Sequence, residues 1–348
     1  MGNLAAVILV AVLVNVQSVQ LDCDGGFSIQ ELEGGKTFEF NVPLKIFDEG
    51  NVFRLPARVK SLEKDKFLTV NGRRYRGTLI LRKARGAGEW GGIHVIDEIG
   101  LEDYVNGILP LEVGSKWTME ALKAQAVASR TFALHSLNRH HAEGYDLCSK
   151  VHCQVFGGLE IEDERTNRAV TETRNEILLY KDKPAGTFFF SNCGGRTQDP
   201  VNVWGKSERL PYLKSIHCKY CKSGPHYLWK SKISGQDIAE ALLSKHIFVI
   251  LPLRSIRATS ENIWIRHRDG EVKLRAAKFR SMVGVDLIRS THITKIKKTS
   301  SGEFTFQGKG WGHGVGMCQE GTKGMALKGI RYTKILEFYY SGTKLKKI

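Results

Sequence analysis

From Met119 to Leu137 the chain contains neither glycine nor proline and is rich in good helix formers, so one long helix is expected there, with Thr118 placed to cap it. Leu122, Ala126, Ser129 and Ala133 form a narrow stripe of mostly small residues along it, which lets another element pack closely. Lys123 and Arg130 fall two turns apart on nearly one face. Just upstream, Pro110 and Gly114 break any helix through Glu112 and place that carboxylate on a loop. The local picture is one carboxylate beside a helix that presents two cations. A carboxylate so placed can move a proton. An ordinary surface glutamate beside a solvated basic face would have the same spacing.

A length of 348 residues allows two domains or one large one. The net charge of +16, spread along the chain rather than gathered in a tail, implies an acidic partner: nucleic acid, anionic lipid or an anionic polymer. No zinc finger, RNA-recognition signature or leucine zipper is present, which argues against nucleic acid. The apolar run Leu4 to Val14 has the length of a signal-peptide core and is too short to span a bilayer, though no basic residue precedes it. Residues 1–22 are therefore expected to be a signal peptide or a short anchor, with membrane contact only if they stay uncleaved. Residues 24–88 alternate apolar and polar and carry an Asn71-Gly72 hairpin turn, the pattern of a small β module. Arg82 to Gly88 reads as a connector.

Seven cysteines are present. Cys148, His152 and Cys153, with His141 or His140, put two thiols and two imidazoles in one loop. These types suit a closed, structural Zn²⁺ site, and a Cys148–Cys153 disulfide suits the same residues. Cys218-Lys-Tyr-Cys221 reads as a local disulfide, with a second metal left open; Ser223-Gly-Pro225 argues against a redox helix start. Further on, Ser234 opens a capped helix, and strands and short helices alternate to the end of the chain.

Two blocks resemble the stage II sporulation protein D family. The first comprises Leu101-Glu-Asp-Tyr104, Gly107-Ile-Leu-Pro-Leu-Glu112, Glu120-Ala-Leu-Lys-Ala-Gln-Ala-Val-Ala128 and Arg130-Thr131. The second is Gly308-Lys-Gly-Trp-Gly-His-Gly-Val-Gly-Met317-Cys-Gln319. The resemblance runs from about Trp90 to Thr343, and the chain departs from it where Cys318-Gln319-Glu320-Gly321 replaces the family's Ser-Gln-Trp-Gly. It implies an α+β fold, mostly antiparallel β with one long central helix and a catalytic cleft lined by loops. The family-like catalytic domain would cover 89–348, with 224–300 as a second lobe.

The resemblance further implies a peptidoglycan lytic transglycosylase that forms 1,6-anhydromuramic ends on glycan stripped of stem peptides. The alternative is a wall-binding enhancer of an N-acetylmuramoyl-L-alanine amidase. Glu112 would be the catalytic acid and then base. Lys123, Arg130, Tyr212, Lys214, Ser191, Gly194, Gly195 and His313 would bind substrate. Tyr212 and Lys214, two apart on an extended stretch, would share a face. The glycines of Ser191-Asn-Cys-Gly194-Gly195 would let backbone amides reach sugar oxygens. If Gly308 to Gly316 is extended, its alternate glycines leave one face bare for another backbone or a flat sugar chain. The family tips the His141, Cys148, His152, Cys153 loop toward structural zinc. No organic cofactor is called for, and the expected location is outside the cytoplasm: periplasm, envelope or extracellular.

Overall fold

The computed structural model describes residues 6–84, 91–205 and 210–348. The connector and the expected boundary after Gly88 lie largely outside them. The chain forms two compact units, one of residues 1–117, 125–177 and 346–348, the other of 118–124 and 178–345. Helices and mostly antiparallel strands are mixed throughout, so the fold is α+β.

The first unit is built on a seven-stranded sheet. Its strands lie in the order Leu147–Cys148, Val7–Val16, Ile93–Gly100, Thr78–Lys83, Ala57–Ser61, Phe27–Glu31 and Thr37–Phe40. A second sheet holds Leu44–Phe47, Ser18–Asp22, Leu68–Val70 and Arg73–Tyr75. The Asn71-Gly72 turn has both residues at positive φ, as a two-residue hairpin requires. Thr78–Lys83, the last strand of the expected β module, pairs directly with Ile93–Gly100, and Ala57–Ser61 pairs with Thr78–Lys83.

The apolar N-terminal run forms a strand of this sheet. Val7–Val16 is an interior strand, antiparallel to Ile93–Gly100 and parallel to Leu147–Cys148, with Ile8, Val10 and Ala11 fully buried. A strand paired on both edges and buried through its centre favours an unbroken apolar run, and a signal core has the same composition. No helix among the described residues is long and apolar enough to cross a membrane.

The second unit has a core of Trp229, Ile238, Ile265, Phe279, Phe304 and Phe306 among others, covered by two three-stranded antiparallel sheets. Helix Gly235–Leu243 starts where expected, with the Ser234 hydroxyl accepting from the Asp237 N–H at 2.9 Å. The long helix forms over Met119–His135.

Candidate active site and metal centres

Glu112 does not stand on a loop. It ends a one-turn helix, Leu109–Glu112, whose Pro110 sits in the first turn, where no helical N–H is lost. The loop after Cys153 closes over this turn. Gly157 donates its N–H to the Gly107 carbonyl at 2.9 Å, and the Phe156 ring occupies the space a Gly107 side chain would need. Tyr104, fully buried, stacks on Phe156 at 5.4 Å and bonds Gln154 Oε1 at 3.2 Å. Burial in this setting pushes the Glu112 carboxyl up to about 7, and a backbone hydrogen bond from Val155 offsets part of the rise. The wall residues Gln154, Val155 and Phe156 were not singled out from sequence. Their one signal is that they directly follow Cys153.

The metal-type loop lies next to this wall. His140, Cys148, His152 and Cys153 offer four ligand atoms within 4.8 Å of one another. Cys153 Sγ is 3.5 Å from His140 Nε2 and 3.6 Å from His152 Nδ1, and Cys148 Sγ is 3.9 Å from His152 Nδ1. The fourth member is His140 and not His141. His140 caps a 3₁₀ turn, His141–Glu143, from which His141 points to solvent. Glu143 lies 3.7 Å from His140 Nδ1, the orientation expected of a carboxylate behind a ligating imidazole. The strand Val10–Ala11 holds Leu147–Cys148 in register, so the N-terminal run positions one ligand.

Arg130, expected to face substrate, is buried and paired. Its side chain has no exposed surface and forks onto Glu102, with Nε–Oε1 at 2.8 Å and Nη2–Oε2 at 2.7 Å. Its remaining donors go to the Glu176 and Val170 carbonyls at 3.1 and 3.2 Å. A guanidinium committed in this way ties the long helix to its neighbours. The face on which it lies is buried, which a seven-residue spacing cannot reveal.

The other expected substrate residues fall in the second unit. Lys123 Nζ lies 3.7 Å from Glu120 Oε1 and 5.8 Å from the Tyr332 ring centre. Tyr212 and Lys214 do not share a face, because the stretch turns rather than extends. Tyr212 is buried against Tyr180, its hydroxyl accepting from the Gly186 N–H at 2.7 Å, while Lys214 is exposed. Lys214 lines an open depression of about 420 Å³ with Asp199, Val201, Asn202, Leu210 and Pro211.

The glycine segments are filled by protein. Gly310, Gly312, Gly314 and Gly316 all take positive φ, so the segment is not a plain extended strand. A methyl on Gly310 would stand 2.4 Å from the Asn192 carbonyl oxygen, and one on Gly316 would stand 2.1 Å from that of Phe188. A methyl on Gly194 would meet Lys309 Cβ at 2.5 Å. The segment from Phe188 to Gly194 therefore covers Gly310, Gly312 and Gly316, while Trp229 covers Gly308 and Gln198 covers Gly314. Gly194 donates its N–H to Asn192 Oδ1 at 2.9 Å, Gly195 accepts from the Cys218 N–H at 2.9 Å, and the Ser191 carbonyl accepts from the Glu320 N–H at 2.9 Å.

His313 is likewise held by protein groups. Its Nε2–H donates to the Phe189 carbonyl at 3.0 Å and its Nδ1 accepts from the Val315 N–H at 3.1 Å, which fixes the tautomer because each backbone group can play only one role. Burial pushes its pKa down to about 4, so the ring is neutral. Phe188, Phe190 and Trp204 surround it.

The family model described as Stage II sporulation protein matches residues 89–180, the stretch that carries Glu112 and the His140, Cys148, His152, Cys153 group. An uncharacterized protein of Brachyspira hyodysenteriae is 35% identical over 309 residues, 86% of this chain and 77% of the relative. The amidase enhancer of Bacillus subtilis is 28% identical over 295 residues, 69% of this chain and 40% of its own length. Stage II sporulation protein D of Bacillus amyloliquefaciens is 28% identical over 272 residues, 73% and 76% of the two chains. With its two sequence blocks, the Glu112 turn and these relatives, the chain belongs to the stage II sporulation protein D family.

Proposed function

We propose that the protein acts outside the cytoplasm on the bacterial cell wall, as a lytic transglycosylase that cleaves the MurNAc–GlcNAc bond of peptidoglycan glycan stripped of stem peptides. The observation that carries this reading is Glu112, a carboxyl on a firm turn whose burial holds it protonated up to about pH 7. Protonated, it donates to the glycosidic oxygen as the bond to C1 breaks. The resulting carboxylate takes the proton of the muramic 6-hydroxyl as that oxygen closes on C1. One carboxyl serves both steps and no water is consumed, so the second carboxylate of a hydrolase is not needed. The net charge of +16 suits an anionic polymer. Lys123 and the exposed Lys214 remain the substrate-binding cations of this reading.

His140, Cys148, His152 and Cys153 fit a closed zinc site: two thiols and two imidazoles at converging distances, with no position left for substrate. When bound, that ion would supply folding energy and fix the loop that carries Val155.

Digestion of denuded glycan strands with wild type and Glu112→Gln, read by mass spectrometry, tests the reading. Anhydromuramic ends from wild type alone are expected. Their absence from wild type would remove the enzymatic reading and leave the second one, a wall-binding enhancer of an amidase. The relative named amidase enhancer favours that second reading.

A further inference from the structure

The fold brings together four cysteines from three separate stretches of the chain. Cys193 follows the short strand Phe189–Phe190, Cys218 and Cys221 form the Cys-x-x-Cys turn, and Cys318 ends the strand Met317–Cys318. The two strands pair in parallel, with Phe190 opposite Cys318. All four sulfurs lie within 4.8 Å of one another, and all four residues are buried. None is in a disulfide, and the Cys193 and Cys221 sulfurs are 3.4 Å apart. A disulfide needs about 2.05 Å. Four thiolates at about 2.3 Å around one tetrahedral ion stand about 3.8 Å from each other. The observed spacing fits the second arrangement.

The surroundings are built for sulfur that carries charge. The Cys193 N–H and the Gly321 N–H both point at Cys318 Sγ, at 3.2 and 3.3 Å, and the Tyr339 hydroxyl lies 3.2 Å from Cys218 Sγ. Donors of this kind hold ligand sulfurs in place at metal sites. Space is reserved as well. A methyl on Gly321 would stand 2.7 Å from Cys218 Sγ, and one on Gly324 would stand 2.1 Å from the Tyr220 carbonyl oxygen. Two glycines in the helix Gln319–Ala326 thus let it lie directly on the Cys-x-x-Cys turn. A Cys218–Cys221 disulfide would leave Cys193 and Cys318 as buried thiols with these donors still aimed at the group.

We propose that Cys193, Cys218, Cys221 and Cys318 bind a second zinc ion, in a closed all-thiolate site that is structural. It ties together the double-glycine turn, the Cys-x-x-Cys turn and the helix that follows the glycine-rich segment. The departure of the sequence from its family at Cys318 then has a use: that cysteine completes the ligand set. Four protein ligands leave no open position, so the ion has no part in bond cleavage.

The test is metal analysis of the full-length protein. Wild type is expected to carry one zinc for each of the two clusters. Cys221→Ser and Cys318→Ser are each expected to lose half of the bound zinc, and Cys153→Ser the other half. A wild-type experiment covers the case in which these variants fail to fold. Alkylation of the native protein without reductant, followed by peptide mapping, is expected to find all four thiols protected until zinc is stripped. After stripping and unfolding, all four should react as free thiols. Disulfide-linked peptides among the four, iron in place of zinc, or zinc content unchanged in Cys221→Ser would overturn the proposal.

Discussion

The Val155 backbone hydrogen-bonds the Glu112 carboxyl from the loop in which His152 and Cys153 converge with His140 and Cys148. Proton chemistry and metal-type ligands are thus joined through two residues of backbone. On the zinc and transglycosylase readings proposed above, stripping zinc from this cluster should lower thermal stability and glycan cleavage together, with no kinetic step that depends on free metal. His140→Ala should lose that ion and His141→Ala should keep it. Zinc analysis of the two variants reads the difference directly.

Glu112 should make the protein less stable as pH rises. Its folded pKa of about 7 lies above the ordinary 4.5, so the folded state holds the proton more tightly than the unfolded chain. Stability is then lost between about pH 4.5 and 7, by about 3 kcal/mol in all. Glu112→Gln can still accept the Val155 hydrogen bond and carries no charge. Denaturant unfolding should find it more stable than wild type near pH 8 and equal to wild type near pH 4. Identical pH dependence in both proteins would show that the carboxyl is not held protonated.

His313 should act in the opposite sense. Its folded pKa of about 4 lies below the ordinary 6.5, so the unfolded chain takes up the proton first as pH falls. The protein should lose about 3 kcal/mol between about pH 6.5 and 4. Nitrogen NMR should find a neutral ring with the proton on Nε2 throughout the neutral range. A cationic ring at pH 6 would contradict the assignment.

Arg130→Met should cost about 3–5 kcal/mol, because it leaves Glu102 as an uncompensated, largely buried charge. Adding Glu102→Leu should recover part of that loss. Glycan binding by folded Arg130→Met should match wild type. A selective loss of binding with no loss of stability would return Arg130 to the substrate-contacting set.

Gly316→Ala should destabilise by about 3 kcal/mol or more, since its methyl meets the Phe188 carbonyl at a left-handed φ. Gly329→Ala, also at positive φ but facing open space, should cost only about 1 kcal/mol. Thermal unfolding of the pair separates the strain of φ from the filling of the bare face by protein.

What the sequence made legible was local. The helix over Met119–His135, the Asn71-Gly72 hairpin and the Ser234 cap follow from propensity and turn chemistry within a few residues. Cys148, His152 and Cys153 were found because they stand close together in the chain. Cys193 and Cys318 lie 125 residues apart, and only the parallel pairing of Phe190 with Cys318 brings them together. Val7–Val16 reads as a signal core because a strand buried through its centre, from Ile8 to Val12, has the same composition. The glycine face looked open because sequence cannot say what covers it.

The protonation of Glu112 is the point on which the chemistry rests, and it can be measured without substrate. Carbon NMR of glutamate carboxyls in the full-length protein, with Glu112→Gln to assign the resonance, follows the group through its titration. A midpoint near 7 is expected. A midpoint near the ordinary 4.5 would mean that the group is ionised at neutral pH, and the acid step assigned to it would fail.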